Sequence, residues 1–238
     1  MNTNQPPRIF DDAHATAEGS IAKNFVANVF SWMVVGLLIT GFVASYAASS
    51  GLYVQLVGSG GLMTWVILLS PFVFIIAMNA GLQKFSATTL TLLFIAFSGV
   101  MGLSLSSVFL VYSMGSITQV FLITAGTFAV MAFAGYTTSV DLSKFGALLF
   151  MALIGIIIAS VVNFFMQSSM MEFIISVGGV LVFTGLTAYD TQRIKRIGAG
   201  VEYGSAGATK LAILAAVSLY LNFVNLFLFL LRLLGGRN

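Results

Sequence analysis

Asp190 stands in the run Thr187-Ala188-Tyr189-Asp190-Thr191-Gln192-Arg193, directly after residues 173–189, which carry no charge. A carboxylate at the edge of so apolar a stretch is costly to bury, and such groups mark ion paths and proton relays. Downstream, Ser218, Asn222, Asn225 and Phe229 follow a 4-3-4 spacing, which puts them on one helix face. Two amides and a hydroxyl on one stripe cannot face hydrocarbon and must find hydrogen bonds inside a bundle. Asn222 lies 11 residues past Leu211, roughly 16 Å along a helix at 1.5 Å per residue. The plain reading is that these amides tie helices together. The sharper one is that Asn222 faces Asp190, with Thr184 and Thr187 loosely on the same side. Arg193, one turn from Asp190, is a candidate ion-pair partner or latch; Lys195 and Arg196 are nearby alternatives. Glu172 reads as an acid favoured by a helix N-terminus, and Asn163 as a further buried amide in need of a partner.

The residue inventory excludes most other chemistry. The only histidine, His14, lies in a polar N-terminal stretch, so a serine hydrolase has no buried base and a membrane zinc protease no ligands. An aspartyl protease needs two carboxylates sharing a proton, and only Asp190 is placed for it. No lysine lies deep in the last apolar run for a Schiff base, and no Gly-rich loop precedes a Lys-Ser/Thr pair. With no cysteine, disulfides, zinc–thiolate sites and iron–sulfur clusters are absent. The expectation is a protein that is not an enzyme and holds no cofactor or metal. One Asp with amide and hydroxyl oxygens makes no tight calcium site, though weak passage is chemically open. Two classes survive: a conduit for small ions or protons, and a membrane protein that regulates others.

Helices crossing a bilayer are what can position these groups. The 238-residue chain is 59% hydrophobic and only 7% charged, against about 25% charged in a soluble protein. Its seven acids and ten bases punctuate long uncharged runs: 24–83, 85–140, 145–171, 173–189 and 211–231. A spanning helix needs about 20 apolar residues. The two longest runs hold two spans each, divided at Ser49–Gly61 and Tyr112–Ser116. The expected fold is an all-α membrane protein with seven transmembrane helices at about 25–48, 62–80, 88–111, 117–136, 146–166, 172–191 and 211–232. Barrel strands would alternate apolar and polar residues, and these runs do not. Pro71 falls inside the second span, where a kink is expected. The largest loop is expected at about 192–210.

The layout is then a polar cytoplasmic tail (1–24), one seven-helix domain (25–234) and a short external tail (235–238). Arg8, Lys23, Lys84, Lys144, Arg193, Lys195, Arg196 and Lys210 fall on one side, Arg232 and Arg237 on the other. The positive-inside rule puts the first side, with the N-terminus, in the cytoplasm and the C-terminus outside. Residues 1–24 carry Asp11, Asp12 and Glu18 and do not form a basic region before a cleavable apolar core, so no signal peptide is expected. Small residues recur every fourth position at Gly36, Thr40 and Ala44, at Ser98, Gly102 and Ser106, and at Gly155 and Ala159. Such stripes let helix backbones approach closely, within this bundle or between copies.

The chain resembles the bacterial Bax inhibitor-1 family. The resemblance rests on Val182-Phe183-Thr184-Gly185-Leu186-Thr187-Ala188-Tyr189-Asp190-Thr191-Gln192 and on Leu219-Tyr220-Leu221-Asn222-Phe223-Val224-Asn225-Leu226-Phe227-Leu228. Weaker support comes from Gly102–Ser107, Gly135–Thr138 and Phe150–Gly155. It implies a seven-helix bundle with the last helix near its centre, in the bacterial inner membrane. It also implies a pH-modulated calcium leak, or else a non-conducting role in stress response and membrane-protein quality control through a membrane-anchored protease. The family's pH sensor is a pair of aspartates, one in each C-terminal motif. Asp190 matches the first; the second position is Asn222 here. With one acid replaced by an amide, two carboxylates can no longer share a proton, so gating is expected to be less pH-sensitive, or shifted to lower pH, than in relatives with both. A latch arginine on the second helix, proposed for some members, has no match in 62–80.

Overall fold

A computed structural model describes residues 9–58, 60–202 and 204–236, with side chains from Ala22 onward. Arg8, Ser59 and Arg237 lie outside the described residues, as do the side chains of Asp11, Asp12, His14 and Glu18. Among the described residues the chain is all helical: α1 (Ile9–Ser49), α2 (Leu52–Val57), α3 (Leu62–Ala80), α4 (Ala87–Val111), α5 (Met114–Thr137), α6 (Ser143–Met166), α7 (Ser169–Ala199) and α8 (Ala206–Leu234). All but α2 are long and apolar enough to cross a membrane, the first over Ala22–Ser49. Their outward side chains are apolar, as at Phe42, Trp65, Phe133, Ile154 and Leu181. That is how a helix meets lipid tails.

Three details depart from the expected layout. The polar stretch is helical from Ile9 and continuous with the first span. The break at Ser49–Gly61 holds the short helix α2, entered through Gly51 in the left-handed region (φ 74°). The expected loop at 192–210 shrinks to 200–205, because α7 runs on to Ala199 and α8 begins at Ala206 with Ser205 accepting the Ala208 N–H. The charged turn that suggested a loop is held in helix by contacts described below.

α8 is the centre. Ile213, Leu219, Tyr220 and Leu226 are fully buried on it, and it packs against α1, α4, α5 and α7, and lightly against α3. Tyr220 fixes its rotation. The Thr40 hydroxyl gives its proton to the Ser98 carbonyl (2.9 Å), so Tyr220 Oη donates to Thr40 Oγ1 (2.7 Å). The Tyr220 ring meets Phe94 and Phe97 edge-on, a favoured geometry for aromatic pairs.

The stripes on α1 and α4 pack against each other. A Cβ on Gly102 would stand 2.7 Å from the Thr40 carbonyl oxygen, so only glycine admits that approach. The third stripe behaves differently: Gly155 has open space around it. Pro71 lies inside a continuous α3. It lacks the N–H that would bond the Ile67 carbonyl, and that oxygen instead accepts from Ser104 Oγ of α4 (2.7 Å) and Ser70 Oγ (3.0 Å).

α6 packs on α7, whereas α3 packs chiefly on α4. These two helices are not packed against each other, and a cleft remains between them with α7 and α8 as its floor.

Candidate functional site

Asp190 is buried on the α7 face that meets α8. Two residues earlier, about half a turn round the helix, α5 closely approaches α7: a Cβ on Gly135 would overlap the Ala188 backbone. That approach presses the opposite face of α7 toward α8. Ser218 Oγ donates to Asp190 Oδ2 at 2.8 Å and Asn222 Nδ2 donates to the same oxygen at 2.7 Å. Both bonds cross between helices. Asp190 Oδ1 has no hydrogen bond among the described residues.

The other residues singled out from sequence sit apart from this contact. Asn225 shares the stripe, but its amide donates to the Leu221 carbonyl of its own helix (2.8 Å). Thr187 is fully buried and bonds the Phe183 carbonyl. Thr184 Oγ1 is the single enclosed side-chain polar atom without a partner among the described residues. Asn163 closes the turn between α6 and α7, where its Oδ1 accepts the Ser168 N–H (3.0 Å). Glu172 occupies the first turn of α7.

Arg193 is exposed and forms no ion pair with Asp190. Lys195 and Arg196 do not reach it either. Lys195 Nζ donates to the Tyr136 carbonyl (2.8 Å) and stands over that ring. Arg196 pairs with Asp141 (2.5 Å) and donates to Ser143 Oγ (2.6 Å). Gln192 completes the grip on the α5–α6 connection: its amide donates to the Val140 carbonyl (2.8 Å), and its Oε1 accepts from the Leu142 N–H (2.9 Å) and Arg196 (2.8 Å). Nothing in the spacing signals this clamp beyond the bare presence of Gln192 and Arg196 one turn apart. The Arg196 bond, then the Ser143 backbone N–H, lowers the Asp141 carboxyl from 3.8 to about 2.

Two cavities meet at Asp190. The larger, about 770 Å³, is the α3–α6 cleft; it runs from Asp190, Ser218 and Asn222 past Asn225 and Phe229 to Arg232 near the end of α8. The smaller, about 340 Å³, lies on the other side of Asp190, between Asn79, Leu82, Arg193, Ile197 and Leu211. Asp190 and Ser218 line both. The smaller cavity opens at the end where Lys195 and Arg196 reach the α5–α6 connection and Lys210 reaches the Leu82 carbonyl. The larger cavity ends toward the other face of the bundle, at Phe164, Phe165 and Arg232. No cluster of three acid, histidine or cysteine side chains exists among the described residues. The site therefore offers one carboxylate flanked by a hydroxyl and an amide, suited to brief contact with a cation rather than to storing one.

Comparison with known proteins gives this arrangement a setting. A family model described as "Inhibitor of apoptosis-promoting Bax1" matches residues 22–238. The inner membrane protein YbhL of Escherichia coli K12 is 45% identical over 216 residues, covering 90% of this chain and 92% of that protein. A protein of Borreliella burgdorferi is 44% identical, covering 91% and 94%. Protein RP147 of Rickettsia prowazekii is 38% identical, covering 90% of each.

Proposed function

The chain belongs to the Bax inhibitor-1 family, and from that premise we propose that it is a multi-pass protein of the bacterial inner membrane that leaks small cations, calcium foremost. The N-terminus faces the cytoplasm and the C-terminus the outside, in keeping with the bases gathered at one end. The observation that carries the reading is the meeting of two cavities at one buried carboxylate. An aqueous path through hydrocarbon needs a polar group at its narrowest point. Asp190 is that group, and Ser218 and Asn222 hold it while the path is shut. A cation arriving on Oδ1 competes with the two hydrogen bonds on Oδ2, so passage and release of the α7–α8 contact are coupled. A site with a single acid binds weakly, which suits a leak.

Calcium-loaded liposomes containing the full chain test this directly. The wild type is expected to release calcium, and Asp190→Asn to lower the rate about tenfold or more, as loss of a contact worth at least 1.4 kcal/mol would. Absence of flux from the wild type discards the leak and leaves the non-conducting regulator, whose partner would be a membrane-anchored protease. Asn222→Asp supplies a second carboxylate, and two close acids share a proton. Its flux is therefore expected to depend on pH more steeply than that of the wild type. Superimposable pH profiles would discard the role given to Asn222.

A further inference from the structure

We propose that the joined cavities form a lipid site that takes a phospholipid bearing a primary ammonium, its alkyl chains in the α3–α6 cleft and its headgroup between Asp190 and Arg193. The site uses the same two cavities as the proposed leak, and a lipid seated in them would close that path. The cleft is bounded by two helices that do not pack together, so it opens sideways to the bilayer. Its walls are Ile75, Leu153, Ile156, Ile157 and Val161. Water finds few partners against such walls, whereas alkyl chains from the surrounding bilayer match them.

The smaller cavity is more polar, with Asn79, Asp190, Arg193 and Ser218 among its lining residues. It presents an acid and a base one helical turn apart that do not pair with each other. A guanidinium suits a phosphate, which it can hold through two N–H groups. Asp190 Oδ1, without a hydrogen bond, suits an ammonium N–H. The charges together are complementary to a zwitterion. An anionic headgroup would leave Asp190 unanswered, and a quaternary ammonium has no N–H to give it. The order of the two cavities also fits: the headgroup lies at the basic end and the chains point from there into the membrane, as a phospholipid of that leaflet stands.

The full chain, freed of lipid in detergent, is given equal amounts of phosphatidylethanolamine, phosphatidylcholine and phosphatidylglycerol of matched chains, and retained lipid is counted by native mass spectrometry. Retention of phosphatidylethanolamine about tenfold above phosphatidylcholine is expected, the ratio that one charge-assisted hydrogen bond supports. Arg193→Gln, an exposed change, is expected to weaken both. Asp190→Asn is expected to bring the two lipids to parity. Equal retention of all three by the wild type, preference for phosphatidylglycerol, or indifference to Arg193→Gln overturns the proposal. The wild-type comparison decides even where Asp190→Asn fails to fold. Bound lipid, not flux, is the signal, so this result and the leak assay can fail independently.

Discussion

Asn222 and Asn225 are the same residue type on the same stripe, yet they do different work. Asn222 donates across to Asp190, while Asn225 bonds its own helix. Removing a partner from a buried carboxylate leaves a desolvated group behind; removing an intrahelical side-chain bond does not. Asn222→Leu is therefore expected to lower stability by about 1–2 kcal/mol, and Asn225→Leu by less than half of that. Thermal unfolding in one detergent compares them. Asp141 offers a pH-dependent counterpart outside the membrane. Its carboxyl is lowered from 3.8 to about 2, first by Arg196. A lowered folded-state value means that the contribution is present above the ordinary value and fades as pH falls toward the lowered one. The melting difference between wild type and Asp141→Asn is thus expected to be constant at neutral pH and to vanish between 3.8 and about 2. The pair is half-exposed, so salt should shrink the difference throughout. The spacing of Ser218, Asn222 and Asn225 shows that the stripe faces inward. It cannot show which amide turns back onto its own helix, because that depends on what stands opposite.

Among helices, the substitution of Ser104 for a missing backbone donor is the most local cooperation in the fold. Pro71 orphans the Ile67 carbonyl, and α4 supplies the proton. Ser104→Ala is expected to cost about 1 kcal/mol, the low end of an unmet carbonyl because Ser70 still reaches it. Restoring the backbone donor by Pro71→Ala should make Ser104 dispensable, which a double-mutant cycle measures. The proline was plain in the sequence; its remedy lay on another helix. The small-residue stripes tell a similar story. Those on α1 and α4 announce a close approach and make one, whereas Gly155 faces open space. Spacing marks a helix that can approach another, not which one does. The end of α7 was hidden for a different reason: Gln192, Lys195 and Arg196 look like a solvated loop until the α5–α6 connection is there to receive them.

Over the molecule as a whole, five charge-free runs, the two longest holding two spans each, set the number of crossings, because transfer into hydrocarbon leaves few alternatives. The central place of α8 is visible in hindsight in its small and amide residues, which are buried on several sides. The cleft is not visible in sequence, since it arises from two helices, α3 and α6, that leave each other alone. Filling it tests its importance. Ser160 lines the cleft on α6, and Ser160→Trp is expected to slow calcium release severalfold while leaving the melting temperature within about 2 °C, as for a surface change. A rate equal to wild type would show that the cleft is no part of the path.

The contact between Asp190 and α8 also sets a schedule for biogenesis. Every other span precedes α8 in the chain, so the carboxylate enters the bilayer before Ser218 and Asn222 can join it there. Until the final segment leaves the translocon, the nascent protein carries an acid with no companion and a bundle with a hole at its axis. Ribosome stalling or truncation ahead of Ala206 would leave just such a species, recognisable to quality-control machinery by the one group that the finished protein hides.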